Sequence, residues 1–166
     1  RVAGGPVRAS TAGNIYSGRA AASVAAHAAG GLIEVERSGG AVIAETSGGS
    51  IQVGAARGVR AAPAAGAIRL RGVTGSLRAS AALGSILADL VSGGRLEDSF
   101  LGTGAGDITV LIPSNLAVTV RARSEAGSRG RIISEFPEIR MTSAAGEVLQ
   151  PTVSVARGSI FLRRQK

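Results

Sequence analysis

The chain has 166 residues, a formal net charge of +8, and 45% hydrophobic residues but only 2% aromatic ones. It contains no cysteine, which excludes disulfides, thiolate metal sites and a cysteine nucleophile. No stretch approaches the roughly 18 consecutive apolar residues of a membrane-spanning helix, and no signal peptide is present from Arg1 onward.

Along most of the chain a glycine is followed two positions later by an aliphatic residue. Gly13-Asn14-Ile15, Gly31-Leu32-Ile33, Gly49-Ser50-Ile51, Gly66-Ala67-Ile68, Gly84-Ser85-Ile86 and Gly106-Asp107-Ile108 form one series, and Gly40-Ala41-Val42, Gly75-Ser76-Leu77 and Gly94-Arg95-Leu96 fall between them. A fixed period dictates architecture and outranks local propensity. The aliphatic positions come in pairs two apart, which is the strand period because alternate side chains share a face. In chain order they are Val7/Ala9, Ile15/Ser17, Val24/Ala26, Ile33/Val35, Val42/Ala44, Ile51/Val53, Val59/Ala61, Ile68/Leu70, Leu77/Ala79, Ile86/Ala88, Leu96/Asp98 and Ile108/Val110.

The pairs alternate in kind. Ile followed by Val or Leu marks one class, and Val or Leu followed by Ala marks the other. A large pair facing a small pair lets two inner surfaces interdigitate at interior density. The repeating unit is therefore about 18 residues with two unlike strands and two turns, and the predicted fold is an all-β, single-stranded β-solenoid. The expected core is a thin ribbon between the two inner surfaces, too narrow for Trp, which is absent. Glycine before each strand suits a tight turn with positive φ.

The reading places one domain over residues 1–166, with regular coils over 1–110. Beyond Val110 the rhythm loosens: Pro113, Pro137 and Pro151 appear, and only Gly130-Arg131-Ile132 and Gly158-Ser159-Ile160 keep the motif. Residues 111–166 are expected to form irregular coils and a C-terminal cap, since a solenoid cannot bury its own open end.

All basic residues except Lys166 are arginines. On this register Arg60 and Arg78 project from one face, Arg69 and Arg71 from the other, and Arg57 sits at a turn. These five are the candidate partner-binding basic residues, suited to an anionic cell-surface polymer or an unidentified protein. Specific nucleic-acid recognition is not expected, because Tyr16, Phe100, Phe136 and Phe161 are not interleaved with the arginines as stacking platforms.

The remaining candidates for chemistry are few. His27, the single histidine, is expected at a turn edge without triad or zinc partners. Gly102-Thr103-Gly104-Ala105-Gly106-Asp107 has the look of a phosphate loop, but a strand follows rather than the helix whose N-terminus would hold the anion, so it reads as a turn. Glu97, Asp98 and Asp107 are the one carboxylate group that could serve as paired acid and base. Phe100 beside them is either a sugar platform or core. Asp98 falls where a core residue is due, which suggests a bulge. No cofactor or metal motif is present, and the chain reads as non-enzymatic.

The repeated G-x-I-x-V coils, followed by Gly106-Asp107-Ile108-Thr109-Val110-Leu111-Ile112-Pro113, resemble a bacterial autotransporter-adhesin-like family of β-strand-repeat proteins, domains of unknown function. The segment from Ala126-Gly127-Ser128 to Arg131-Ile132-Ile133-Ser134-Glu135-Phe136-Pro137 is similar to that family's G-x-I-x-S-D-F-P element, with Glu135 in place of Asp. Ala156-Arg157-Gly158-Ser159-Ile160-Phe161-Leu162 is similar to its closing strand. The resemblance implies a β-solenoid exported from the cytoplasm to the periplasm or cell surface, with a signal peptide or membrane anchor upstream of Arg1, and it carries no catalytic residues. A second expectation is end-to-end self-association, in the manner of bactofilin polymers with β-helical subunits. A carbohydrate-active β-helix centred on Glu97, Asp98 and Asp107 is the third.

Overall fold

The computed structural model describes residues 2–63, 65–91 and 99–113 and, of the remainder, the strands at 121–124, 132–134, 152–157 and 160–165. Every described element is a strand. In chain order they are β1 (Val2–Ala3), β2 (Val7–Thr11), β3 (Ile15–Ala20), β4 (Val24–Ala28), β5 (Ile33–Ser38), β6 (Ala41–Thr46), β7 (Ile51–Val53), β8 (Gly58–Pro63) and β9 (Ile68–Val73). They continue as β10 (Leu77–Leu83), β11 (Ile86–Leu90), β12 (Phe100–Ala105), β13 (Ile108–Pro113), β14 (Arg121–Ser124), β15 (Ile132–Ser134), β16 (Thr152–Arg157) and β17 (Ile160–Gln165). Odd-numbered strands form one sheet and even-numbered strands the other, and every pairing is parallel. The protein is a β-solenoid of two-strand coils. Among the described residues no helix is long and apolar enough to cross a membrane.

Identical side chains stack because the coils are in register. On the odd sheet the backbone aligns Ile15, Ile33, Ile51, Ile68, Ile86, Ile108, Ile160 and Ile132 in a single row. Facing it, the even sheet aligns Val7, Val24, Val42, Val59 and Leu77 beside Ala9, Ala26, Ala44, Ala61 and Ala79. The isoleucines from Ile33 to Ile108 are 0–1% exposed, so each contributes roughly 1.5–3 kcal/mol of burial. The large row against the small row is the packing expected from the paired motifs.

The core is wider than the pairs imply, because most strands contribute a third inward residue. On the even sheet these include Ala28, Thr46 and Ala81, and on the odd sheet Ala20, Ser38, Val73 and Leu90. Buried hydroxyls stitch the corners. Ser38 donates to the Ala22 carbonyl at 2.8 Å, and Thr103 donates to the Gly84 carbonyl at 2.9 Å. No described buried side-chain polar atom lacks a partner, as a close-packed interior requires.

The corner glycines meet the expected demand only in part, and a second one throughout. Positive φ occurs at Gly66 (144°), Gly84 (136°) and Gly106 (139°), but Gly31 and Gly49 do not adopt it. What the row shares is close approach: a Cβ at Gly31, Gly49, Gly66, Gly84 or Gly106 would overlap the carbonyl of the corner glycine one coil earlier. Stacking distance, more than turn geometry, selects glycine here.

Two expectations near the C-terminal half are corrected. The ladder position after Leu77/Ala79 is not filled by Leu96/Asp98. Ser99 is buried and its hydroxyl oxygen accepts the Leu77 N–H at 3.2 Å, while Leu101 and Thr103 pair with Ala79 and Ala81. Glu97 and Asp98 themselves, with the bulge expected there, lie outside the described residues. Gly102–Ala105 belongs to β12 rather than to a turn, which is confined to Gly106-Asp107 before β13. The rhythm misled because it matched Leu96, three residues too early, whereas the true step from Leu77 to Ser99 is 22 residues.

The end of the stack does not follow chain order. The odd sheet runs β11-β13-β17-β15 and the even sheet β10-β12-β16-β14. The last coil in sequence, β16–β17, is thus inserted between β12–β13 and β14–β15. Among the described residues, β14 pairs only with β16 and β15 only with β17.

Candidate partner-binding faces

Outward side chains alternate with the core rows, so each sheet presents columns one strand spacing apart, about 4.8 Å. One even-sheet column reads Arg8, Ala25, Ile43, Arg60, Arg78 and Phe100 in register. Arg60 and Arg78 are therefore adjacent and exposed, as the sequence predicts. Phe100 extends that column. It is 40% exposed, so it is neither core nor remote from the arginines, and the expectation that aromatics avoid the basic residues fails at this point. The signal that could have found it is the 22-residue step, which moves Phe100 onto an outward position.

Arg69 and Arg71 lie on β9 of the opposite sheet and are also exposed. Arg57 sits at the bend between β7 and β8, its N–H donated to the Gly40 carbonyl at 3.3 Å. The five candidate arginines therefore fall on two opposite faces and the corner between them. A single flat partner can engage one sheet's arginines at a time. On the odd sheet Phe161 also meets a cation, with the Arg163 guanidinium 5.7 Å from its ring centre. That is within cation–π range.

His27 is not at a turn edge. It lies within β4, points outward, and its Nδ1 is 3.1 Å from Glu45 Oε2 on β6, with both side chains about half exposed. Val24 and Ala26 point inward, so the fourth residue of the strand must face solvent. The pair comes from the register His27–Glu45 between neighbouring coils. A solvent-exposed polar contact of this kind contributes little to stability.

Of the three carboxylates considered for catalysis, Asp107 alone is described. It stands at the corner before β13, where its carbonyl accepts the Ile86 N–H at 2.9 Å. Among the described residues no three or more His, Asp or Glu side chains gather in an arrangement that could hold a metal ion. Comparison with protein-family models, with curated proteins and with solved structures gave no match. β-Solenoid architecture is thus where the established likeness stops.

Proposed function

We propose that the chain is a non-enzymatic, extracytoplasmic scaffold or adhesin-like module that presents a flat sheet face to an anionic partner. The observation that carries this reading is the Arg60–Arg78 column with Phe100 beside it. Arginines on neighbouring strands about 4.8 Å apart suit a polymer with closely spaced negative groups, because the sheet backbone that carries them is already ordered by the stack. Carboxylate or sulfate groups would be held by charge-assisted hydrogen bonds. An acidic cell-surface polysaccharide is the partner that fits, and a segment upstream of Arg1 would deliver or tether the module there.

Reversal of both charges, R60E/R78E, tests it. The expected result is loss of salt-dependent retention on an acidic polysaccharide matrix, with the far-ultraviolet circular dichroism unchanged. Undiminished retention by the folded variant would dismiss the column as a binding face. Equal retention on single-stranded nucleic acid would redirect the reading to that polymer.

A second reading is end-to-end assembly, favoured by the all-parallel ladder. Among the described residues β2 and β14 each hydrogen-bond to a neighbour on one side only, at opposite ends of the same sheet. A second copy could continue the stack head to tail, the arrangement that generates open filaments. A strictly monomeric species at high concentration in analytical ultracentrifugation removes this reading.

A further inference from the structure

On the outer face of the odd sheet, an open trough of about 280 Å³ lies between β5 and β9. Its banks have opposite sign. Glu34 and Glu36 stand on β5, Arg69 and Arg71 on β9, with Gln52 and Gly54 between them as the floor. Glu34, Gln52 and Arg69 are register partners on three successive strands. None of the four charged residues enters an ion pair with a described residue, His27–Glu45 being the described pair.

The floor is open for a structural reason. Gly54 donates its N–H to the Val35 carbonyl at 2.8 Å, and a Cβ on it would overlap the Glu36 carbonyl oxygen. The stacking that forbids a side chain at position 54 also leaves a notch between the charged banks. Two strand spacings separate those banks, about 9.6 Å between backbones. That separation leaves room for a bridging molecule between the carboxylates and the guanidiniums.

The flanks differ. On the side away from the trough, Leu87 is in register with Arg69 and Asp89 with Arg71. Arg69 therefore has an apolar neighbour there, whereas Arg71 has a carboxylate. Arg69 stands opposite Glu34 across Gln52; it is the guanidinium with no carboxylate beside it, and a ligand reaches it over the side-chain-free notch at Gly54.

We infer that this trough binds a short dipolar chain, its primary ammonium against Glu34 and Glu36 and its carboxylate against Arg69. Carboxylate and guanidinium match in bidentate geometry, and the ammonium is a compact donor for two carboxylates. The volume is just under the roughly 300 Å³ at which ligand sites begin. A few methylenes span it. Each bank also repels the wrong end of the ligand, so selectivity for molecules bearing both charges follows from the same four residues. This site gives Arg69 and Arg71 a role separate from the Arg60–Arg78 column and does not depend on it.

Titration calorimetry of the whole chain with ε-aminocaproate, caproate and hexylamine tests the inference. The expected result is that ε-aminocaproate binds and that each single-charge analogue binds about tenfold or more weakly, the equivalent of about 1.4 kcal/mol. E34Q and R69Q should each abolish the preference for the dipolar probe, whereas R60E/R78E should leave it intact. A peptide ending in lysine, compared with its C-terminal amide, separates a free small molecule from a peptide terminus as the source. Caproate binding as tightly as ε-aminocaproate, unaffected by E34Q, would overturn the inference in favour of a simple anion patch. So would the absence of heat with every probe.

Discussion

Replacing Gly49 by alanine adds one methyl group at the corner before β7, where backbone dihedral strain is not an issue because Gly49 is outside the positive-φ region. The added Cβ would overlap the Gly31 carbonyl oxygen of the coil below. That oxygen is main chain, so relief requires the two coils to move apart, against the ladder bonds around Ile33 and Ile51. Overpacking of this kind costs about 1–3 kcal/mol. At Gly48, one residue earlier, the nearest atom to an added methyl would be the Gly30 Cα at 4.0 Å, an ordinary contact. There alanine only stiffens the unfolded chain and should stabilise by about 0.4–1 kcal/mol. For a chain of this size each kcal/mol moves the melting temperature by about 2–4 °C, so thermal denaturation followed by circular dichroism resolves the two variants. G49A should melt lower than the parent and G48A the same or higher. Equal shifts in the same direction would refute the argument that coil-to-coil approach, rather than glycine content in general, sets these corners.

Ile51→Ala empties a fully buried place in the isoleucine row and should cost about 2–5 kcal/mol in chemical denaturation, whereas Gln52→Ala on the outward side should stay within about 0.5 kcal/mol. Thr103→Val removes the donor to the Gly84 carbonyl, and with its methyl packing retained should cost about 1 kcal/mol; Thr103→Ser should recover most of it. Deleting residues 152–166 removes β16 and β17, the described hydrogen-bonding partners of β14 and β15. Hydrogen exchange should then show lost protection over 121–124 and 132–134 while the coils up to β11 stay protected. Retained protection at 121–134 would show that β14 and β15 pair elsewhere.

Much of this fold is legible because stacking repeats its demands on the sequence. Ile33, Ile51, Ile68 and Ile86 announce themselves by type and spacing, and Ile132 and Ile160 keep the motif even where the intervening chain is irregular. The third inward column is harder to read. On the odd sheet it follows the second inward residue by three at Ser38 and Val73 but by two at Leu90, and the pairing register shifts between Asp89 and Leu90. An extra residue, with Gly72 at φ 61° beside Val73, breaks the simple alternation in the earlier coils. The insertion of β16–β17 left no local trace, because motif spacing records chain order and not stacking order. The dipolar trough was hidden for a related reason. Arg69 and Arg71 read as a basic pair in sequence, and only the in-register stack brings Glu34 and Glu36 to the opposite bank, one strand beyond Gln52.

The central claim is that successive coils stack in parallel register, each advancing by one strand spacing. The chain has no cysteine, so spin labels can be placed at will on the outward column Arg8, Ala25, Ile43, Arg60 and Arg78. Pulsed dipolar distances from a label at position 8 should rise by about 4.8 Å for each coil crossed, reaching about 19 Å at position 78. Distances that fail to grow in order along this series, or that alternate between near and far, would contradict the solenoid.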